Sequence, residues 1–286
     1  MRYERPTSLE EATALYAAED GRAYILAGGT DLLVRMQNDA FDADLIVDIK
    51  GIAGMGDIAE TDEGFVIGAG VPCAALARHA ALVAAWPGVV EGANLIGSTQ
   101  VQSRCTMVGN LCNASPAADS VPALVAAGAR VRISGPDGTR TVPVEDIPQG
   151  PGRTSLAKGE IVDAILLDRP APRAGDAYLR FIPRTEMDIA VVGVGVHLAL
   201  DEDGTVHSAR VALGAVGPKV ILSEEAGAAL VGTRADEAAL SALAAACSEA
   251  ATPIDDKRGT VAFRKKVTGV LACRAARTAY ARAGGK

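Results

Sequence analysis

Residues 23–27, Ala-Tyr-Ile-Leu-Ala, form a short apolar run that ends in Gly28-Gly29-Thr30-Asp31, and beyond it Leu32, Leu33 and Met36 return at helical spacing. An apolar run of this length reads as a buried strand, and the spacing after it follows the 3.6-residue period of a helix. The pattern is therefore strand, glycine turn, helix. Upstream, Ser8-Leu9-Glu10-Glu11 has the form of a capping box, with Leu9, Ala12, Leu15 and Tyr16 on one face of a helix expected over residues 9–18. Residues 45–49 and 64–68 are two further short strands, and residues 74–85 read as an alanine-rich helix ended by Trp86-Pro87-Gly88. Helical and extended elements are interleaved along this part of the chain.

Residues 94–119 are small, polar and glycine-containing, with little periodicity. A long loop inside a compact domain needs a functional reason. A short helix is expected over residues 121–127, and residues 129–133 and 139–142 flank Ser134-Gly135-Pro136-Asp137-Gly138 as a hairpin. Gly150-Pro151-Gly152 punctuates the next stretch, and Pro170-Ala171-Pro172 marks an expected domain boundary, dividing the chain into residues 1–172 and 173–286. Beyond it, residues 178–182, 189–200 and 206–214 form an antiparallel meander, closed by helices starting near Ser223, Ala235 and Thr260. Arg264, Lys265, Lys266, Arg274 and Arg277 on the last helix read as a solvated basic face.

Of the 286 residues, 49% are hydrophobic and 22% charged, which excludes a disordered polymer. The formal charge of −7 argues against a nucleic-acid partner. The start of the chain lacks a signal-peptide core and no stretch is long and apolar enough to span a membrane, so a cytoplasmic location is expected. Five cysteines, at 73, 105, 112, 247 and 273, show no C-x-x-C spacing, and three histidines form no metal-ligand pattern. Redox or hydrolytic chemistry here calls for an organic cofactor.

Two segments are candidates to hold one. At the strand-to-helix junction, backbone N–H groups of Gly28 to Asp31 could point at an anion with the positive end of a helix dipole behind them, although a plain structural turn has the same signature. The second is Thr106-Met107-Val108-Gly109-Asn110 together with Asn113-Ala114-Ser115-Pro116-Ala117-Ala118-Asp119, which also fits an Asx or Ser/Thr turn preparing the next helix. Two such cradles could hold a diphosphate and a ring system from opposite sides. Neither G-x-G-x-x-G nor a phosphate loop ending in G-K-[ST] is present, and Gly51 to Gly56 has the wrong spacing.

The order AGGTDL, TMVGNLCNASPAADSVPAL, FIPRTEMDIAVVGV and DDKRGTVAFRKKVTGVL resembles the FAD-binding medium subunit of molybdenum hydroxylases, the xanthine dehydrogenase and carbon monoxide dehydrogenase family. The resemblance implies an α+β fold: a FAD-binding domain of two α/β subdomains, then a small C-terminal domain with an antiparallel sheet and helices. It places Ile25, Leu26, Ala27, Gly28, Gly29, Thr30, Asp31 and Leu32 along the FAD diphosphate. Thr106, Met107, Val108, Gly109 and Asn110 fall around the cofactor from the other side, and Asp119 in a cofactor-contacting loop. Ile96 is placed against the isoalloxazine, Val162 beside it, and Arg180 where the family often has lysine. Val108 replaces the first glycine of the family's second cradle, so the backbone there must accept a β-branched side chain.

The implied function is that of an oxidoreductase subunit. A large molybdopterin subunit oxidises the substrate, a small subunit with 2Fe-2S iron-sulfur clusters relays electrons, and the FAD of this chain delivers them to an acceptor. The assembly implied is a heterotrimer or its dimer. A cysteine-rich insertion, carried by some aryl-CoA reductase relatives, is absent from the sequence. The Thr30-Asp31 pair leans slightly away from the carbon monoxide branch. Two other readings are a non-catalytic assembly subunit without flavin and a free-standing FAD oxidoreductase. A β-branched residue at Gly29 or Gly109 is expected to block the cofactor more than it disturbs the core.

Overall fold

The computed structural model describes residues 1–285. Strands β1 (Arg2–Glu4), β2 (Ala23–Leu26) and β3 (Leu45–Asp48) form a parallel sheet in the order β1-β3-β2, with α1 (Leu9–Ala18) bridging the first two and α2 (Leu32–Gln37) the next two. The Ser8 hydroxyl accepts the Glu11 N–H at 3.2 Å, and the Glu11 carboxylate accepts the Thr7 N–H at 2.8 Å, so the start of α1 is capped from both directions.

A second sheet is antiparallel. It contains β4 (Ile58–Glu60), β5 (Gly64–Gly68), β6 (Arg130–Gly135) and β7 (Gly138–Pro143), while β8 (Pro148–Gly150) and β9 (Arg153–Thr154) pair as a separate small ribbon. Its central strand is β10 (Ile161–Asp168), in the order β4-β5-β10-β6-β7. Sequence periodicity does not reveal β10, because both faces of a central strand are covered and the apolar alternation disappears. Asp163 in its middle is fully buried. Its carboxylate accepts from Arg132 Nε at 2.5 Å and from the Ser134 hydroxyl at 2.7 Å.

Between β5 and β6 along the chain come α3 (Cys73–Leu76), α4 (Ala80–Ala85), α5 (Pro87–Asn94), α6 (Thr99–Gln102), α7 (Met107–Cys112) and α8 (Ser120–Ala126). Two expectations change here. The single helix over residues 74–85 is broken in two, because His79 takes an extended conformation and its Nδ1 accepts the Leu82 N–H at 3.2 Å, starting α4. Residues 94–119 are not one loop: α6 and α7 occupy part of them, each too short to leave a periodic pattern. Pro87, read as a terminator, also begins α5, where its fixed φ and missing N–H cost nothing.

The remaining strands, β11 (Ala174–Phe181), β12 (Val192–Leu200), β13 (Val206–Gly214) and β14 (Ile221–Leu222), form the expected antiparallel meander. Helices α9 (Glu224–Ala228), α10 (Glu237–Ala250) and α11 (Val261–Arg282) follow, capped by the side chains of Ser223, Asp236 and Thr260. On β12, Val192, Val194, Val196 and Leu198 join the core beneath α10 and α11. The alternate residues Gly193, Gly195 and His197 turn to the other face, where an added side chain at Gly195 would strike the Pro122 carbonyl of α8. Helices α5 and α8 thus seat the C-terminal sheet on the rest of the molecule. Arg264 is not part of a solvated face: it is 4% exposed, donating to the carbonyls of Val191 (2.9 Å) and Ala215 (3.4 Å) and to Asp256 (2.7 Å). The architecture is the α+β arrangement the sequence implied.

Candidate functional site

The turn after β2 exists because of two glycines with different tasks. A Cβ on Gly28 would stand 2.3 Å from the Arg104 carbonyl oxygen and 2.9 Å from Cys105 Cα, so glycine is what lets residues 104 and 105 close against the turn. Gly29 has φ +78°, the left-handed region that glycine enters without strain. Among the described residues, none of the N–H groups from Gly28 to Leu32 donates to another group of the chain. They gather where α2 begins, the positive end of its peptide dipoles.

The opposing wall comes from α7 and its approach. Pro72 and Thr106 form an isolated antiparallel bridge, and the Cys73 N–H donates to the Cys105 carbonyl at 2.8 Å, which fixes this segment against α3. Thr106 Oγ1 accepts the Gly109 N–H at 2.9 Å and caps α7. Val108 lies within that helix with ordinary negative φ, which explains why the β-branched side chain is tolerated there. Asn110 ties α7 to α8 by accepting the N–H (3.2 Å) and hydroxyl (2.7 Å) of Ser120.

The two walls enclose a cleft of about 530 Å³, a size typical of organic ligand sites. Ile25, Ala27, Gly28, Gly29, Thr30, Asp31, Leu32, Ile96, Thr106, Val108, Gly109, Asn110 and Val162 all line it. Leu26 and Met107 do not; they are buried behind the walls. Asp119 and Arg180 also lie off the lining and pair with each other at 2.7 Å, with Tyr178 donating its hydroxyl to Asp119 at 3.3 Å. Burial pushes the Asp119 carboxyl up to about 6 in spite of Arg180.

Several lining residues escape a reading by motif. Tyr16 and Tyr24 supply aromatic surface, Arg35 and Lys158 are the exposed cations, and Gly152 and Thr154 arrive on the β8–β9 ribbon. Gly150-Pro151-Gly152 was the only sequence signal for that ribbon, and it reads as mere punctuation until the Gly152 N–H is seen donating to the Ala114 carbonyl at 3.1 Å. Cys105 and Cys112 also face the cleft. Asp31, the one acidic side chain of the glycine turn, has its carboxyl pushed up by burial, against the opposing pull of Arg35. The cleft thus presents unpaired N–H donors and two cations to an anionic group, and Ile96, Val108 and Val162 to an apolar one.

Among the described residues, no helix is long and apolar enough to cross a membrane and no cluster of three His, Cys, Asp or Glu side chains could hold a metal ion. Residues 1–170 match the family described as FAD binding domain in molybdopterin dehydrogenase, and residues 177–279 the CO dehydrogenase flavoprotein C-terminal domain. The carbon monoxide dehydrogenase medium chain of Afipia carboxidovorans is 33% identical, over 98% of this chain and 97% of that one. A xanthine dehydrogenase FAD-binding subunit of Escherichia coli is 28% identical over 99% and 97%. The solved structure of reconstituted CO dehydrogenase from Oligotropha carboxidovorans includes a chain that superposes with a TM-score of 0.93 at 32% identity, covering 99% of this chain and 98% of that one. The identities do not follow the lean of Thr30-Asp31 away from the carbon monoxide branch. Matched along both of its parts, the chain belongs to the family of FAD-binding medium subunits of molybdenum hydroxylases.

Proposed function

We propose that the cleft between the Gly28–Gly29 turn and α7 seats FAD, and that the chain passes electrons from the iron-sulfur clusters of a small partner subunit to an external acceptor. The observation that carries the reading is the row of N–H groups from Gly28 to Leu32 without an acceptor in the chain, at a turn where the backbone of residues 104 and 105 leaves no room for a side chain on Gly28. An anionic diphosphate satisfies such donors, and the start of α2 adds a favourable dipole. Ile25 to Leu32 would hold the diphosphate side, with Thr106 to Asn110 opposite. Ile96 and Val162 would flank the flat, largely apolar ring.

FAD, when bound, accepts electrons singly and releases them in pairs, which is why a chain without an acid–base dyad or nucleophile can serve redox turnover. The residues of the chain bind, orient and shield. The Thr106 cap holds α7 in register, and Asn110 braces that helix on α8. The Asp119–Arg180 pair lies away from the lining. Its role in this reading is to join α8 to β11, and so the FAD domain to the C-terminal sheet, rather than to touch the cofactor.

The same reading takes residues 1–172 as the FAD domain and 173–286 as the C-terminal domain, in a cytoplasmic heterotrimer or its dimer with the small iron-sulfur and large molybdopterin subunits. The substrate would sit on the large subunit. Reconstitution tests this: the chain alone, the chain with the small subunit, and the complete complex are assayed for substrate-dependent reduction of an acceptor. Only the complete complex should turn over. Equal turnover by the isolated chain would make it a free-standing flavoenzyme, and full turnover by a complex whose medium chain carries no flavin would make it an assembly subunit.

A further inference from the structure

Two of the five cysteines meet in the wall of the cleft, and the reading of that cleft as a FAD site does not use them. Cys73 begins α3 and Cys105 precedes the Thr106 cap. The antiparallel bridge between Pro72 and Thr106, with the Cys73 N–H on the Cys105 carbonyl at 2.8 Å, sets the two cysteines directly opposite one another. At such a position antiparallel Cα atoms are about 5.5 Å apart, within the roughly 4.4–6.8 Å that a disulfide spans. Side chains at opposed positions of an antiparallel pair share one face, so the two thiols are neighbours; that neighbour holds Cys105 below the ordinary thiol value and drives Cys73, also buried, well above it. Cys105 lines the cleft, while Cys73 lies behind it with no exposure.

The other three cysteines lack this arrangement. Cys112 also faces the cleft, but burial pushes its thiol up to about 12. Burial does the same to Cys247, and Cys273 is raised by burial while its thiol donates to the Leu240 carbonyl at 3.2 Å.

We propose that Cys73 and Cys105 are a redox-active dithiol, oxidised by a peroxide to a disulfide, with Cys105 the attacking sulfur at the cleft and Cys73 the resolving sulfur behind it. Cys105 takes one oxygen from hydrogen peroxide to become a sulfenic acid, and the other oxygen leaves as water. The Cys73 sulfur then attacks the Cys105 sulfur; the S–S bond forms, the S–O bond breaks, and the departing hydroxide takes the Cys73 proton and leaves as a second water. Two electrons pass from the two thiols to the peroxide. The disulfide ties residues 104–106, whose backbone packs against Gly28, to the start of α3.

The test is a hydrogen peroxide titration of the native chain, followed by alkylation in denaturant, digestion without reductant and mass spectrometry. One linked peptide pair, placed by fragmentation at Cys73 and Cys105, should form at least about tenfold faster than any modification of Cys112, because each unit of pKa is a tenfold change in thiolate fraction. In Cys73→Ser, oxidation should stop at a sulfenic acid on Cys105 that dimedone traps; in Cys105→Ser, Cys73 should stay reduced. Cys73 and Cys105 both remaining alkylatable after wild-type treatment, or oxidation of Cys112, Cys247 or Cys273 ahead of them, would overturn the proposal whether or not the variants fold.

Discussion

Gly28, Gly29 and Gly109 all line the cleft, yet they differ in what a side chain would meet. At Gly109 an added Cβ meets only Thr106 Oγ1, at 3.0 Å, and φ is ordinary, so Gly109→Val projects toward the cleft and leaves stability within about 1 kcal/mol. It should lose most of its flavin while keeping a near-normal melting temperature. At Gly29 the expectation that cofactor loss precedes damage to the core does not follow from the geometry. A Cβ there runs into Leu26 and Leu33 (2.9 and 3.0 Å) at φ +78°, so Gly29→Val should also destabilise the fold, by about 1–3 kcal/mol. Thermal melts beside flavin-to-protein ratios separate the two behaviours, and equal flavin retention in wild type and Gly109→Val would remove α7 from the binding wall. The glycine turn and the Thr106 cap were legible because each is contiguous in sequence. Tyr16, Arg35 and Lys158 were not, since only tertiary folding brings them to the same cleft.

The elements that periodicity missed are those whose reasons are non-local. Strand β10 has no alternation because residues on both of its faces are buried, and α6 and α7, four and six residues long, are fixed by their neighbours rather than by helical propensity. Asp163 is the polar centre of β10, and Asp163→Ala leaves the Ser134 hydroxyl and Arg132 without their acceptor. A loss of roughly 3 kcal/mol is expected in denaturant unfolding; a loss below about 1 kcal/mol would mean the sheet does not depend on it. Where β12 meets α5, His197 packs on Trp86 with ring centroids 5.1 Å apart, and burial with the nearby Arg210 pushes its imidazole down to about 4. The folded chain therefore binds fewer protons than the unfolded chain between the ordinary value of 6.5 and about 4. Stability from this group is full above the upper limit and is lost as pH falls toward the lower one. Asp119 and Asp176, raised by burial to about 6, give the opposite slope, so the comparison must be with a variant. The advantage of wild type over His197→Gln should shrink by on the order of 3 kcal/mol from pH 7 to pH 4; a pH-independent difference would show that the imidazole is not held neutral.

At the scale of the whole molecule, residues 1–168 carry two sheets and the cleft, while residues 174–222 carry the meander that rests on α5 and α8. That contact is partly polar. The Asp176 carboxylate accepts the Val89 N–H at 3.0 Å, and Arg210 reaches the Val125 carbonyl at 3.0 Å and Glu145 at 2.8 Å. The sequence showed the meander and its closing helices through strict local patterns, but not the face on which α8 docks, which depends on Gly195 of β12 and Gly214 of β13 leaving room for Pro122. The most direct test of the cleft is equilibrium loading of the purified chain with FAD, read as flavin absorbance per protein after gel filtration, with the complete complex as a parallel sample. One flavin per chain, released on denaturation and reduced in Gly109→Val, is the predicted result. A chain that holds no flavin either alone or within the complex would contradict the assignment of the cleft.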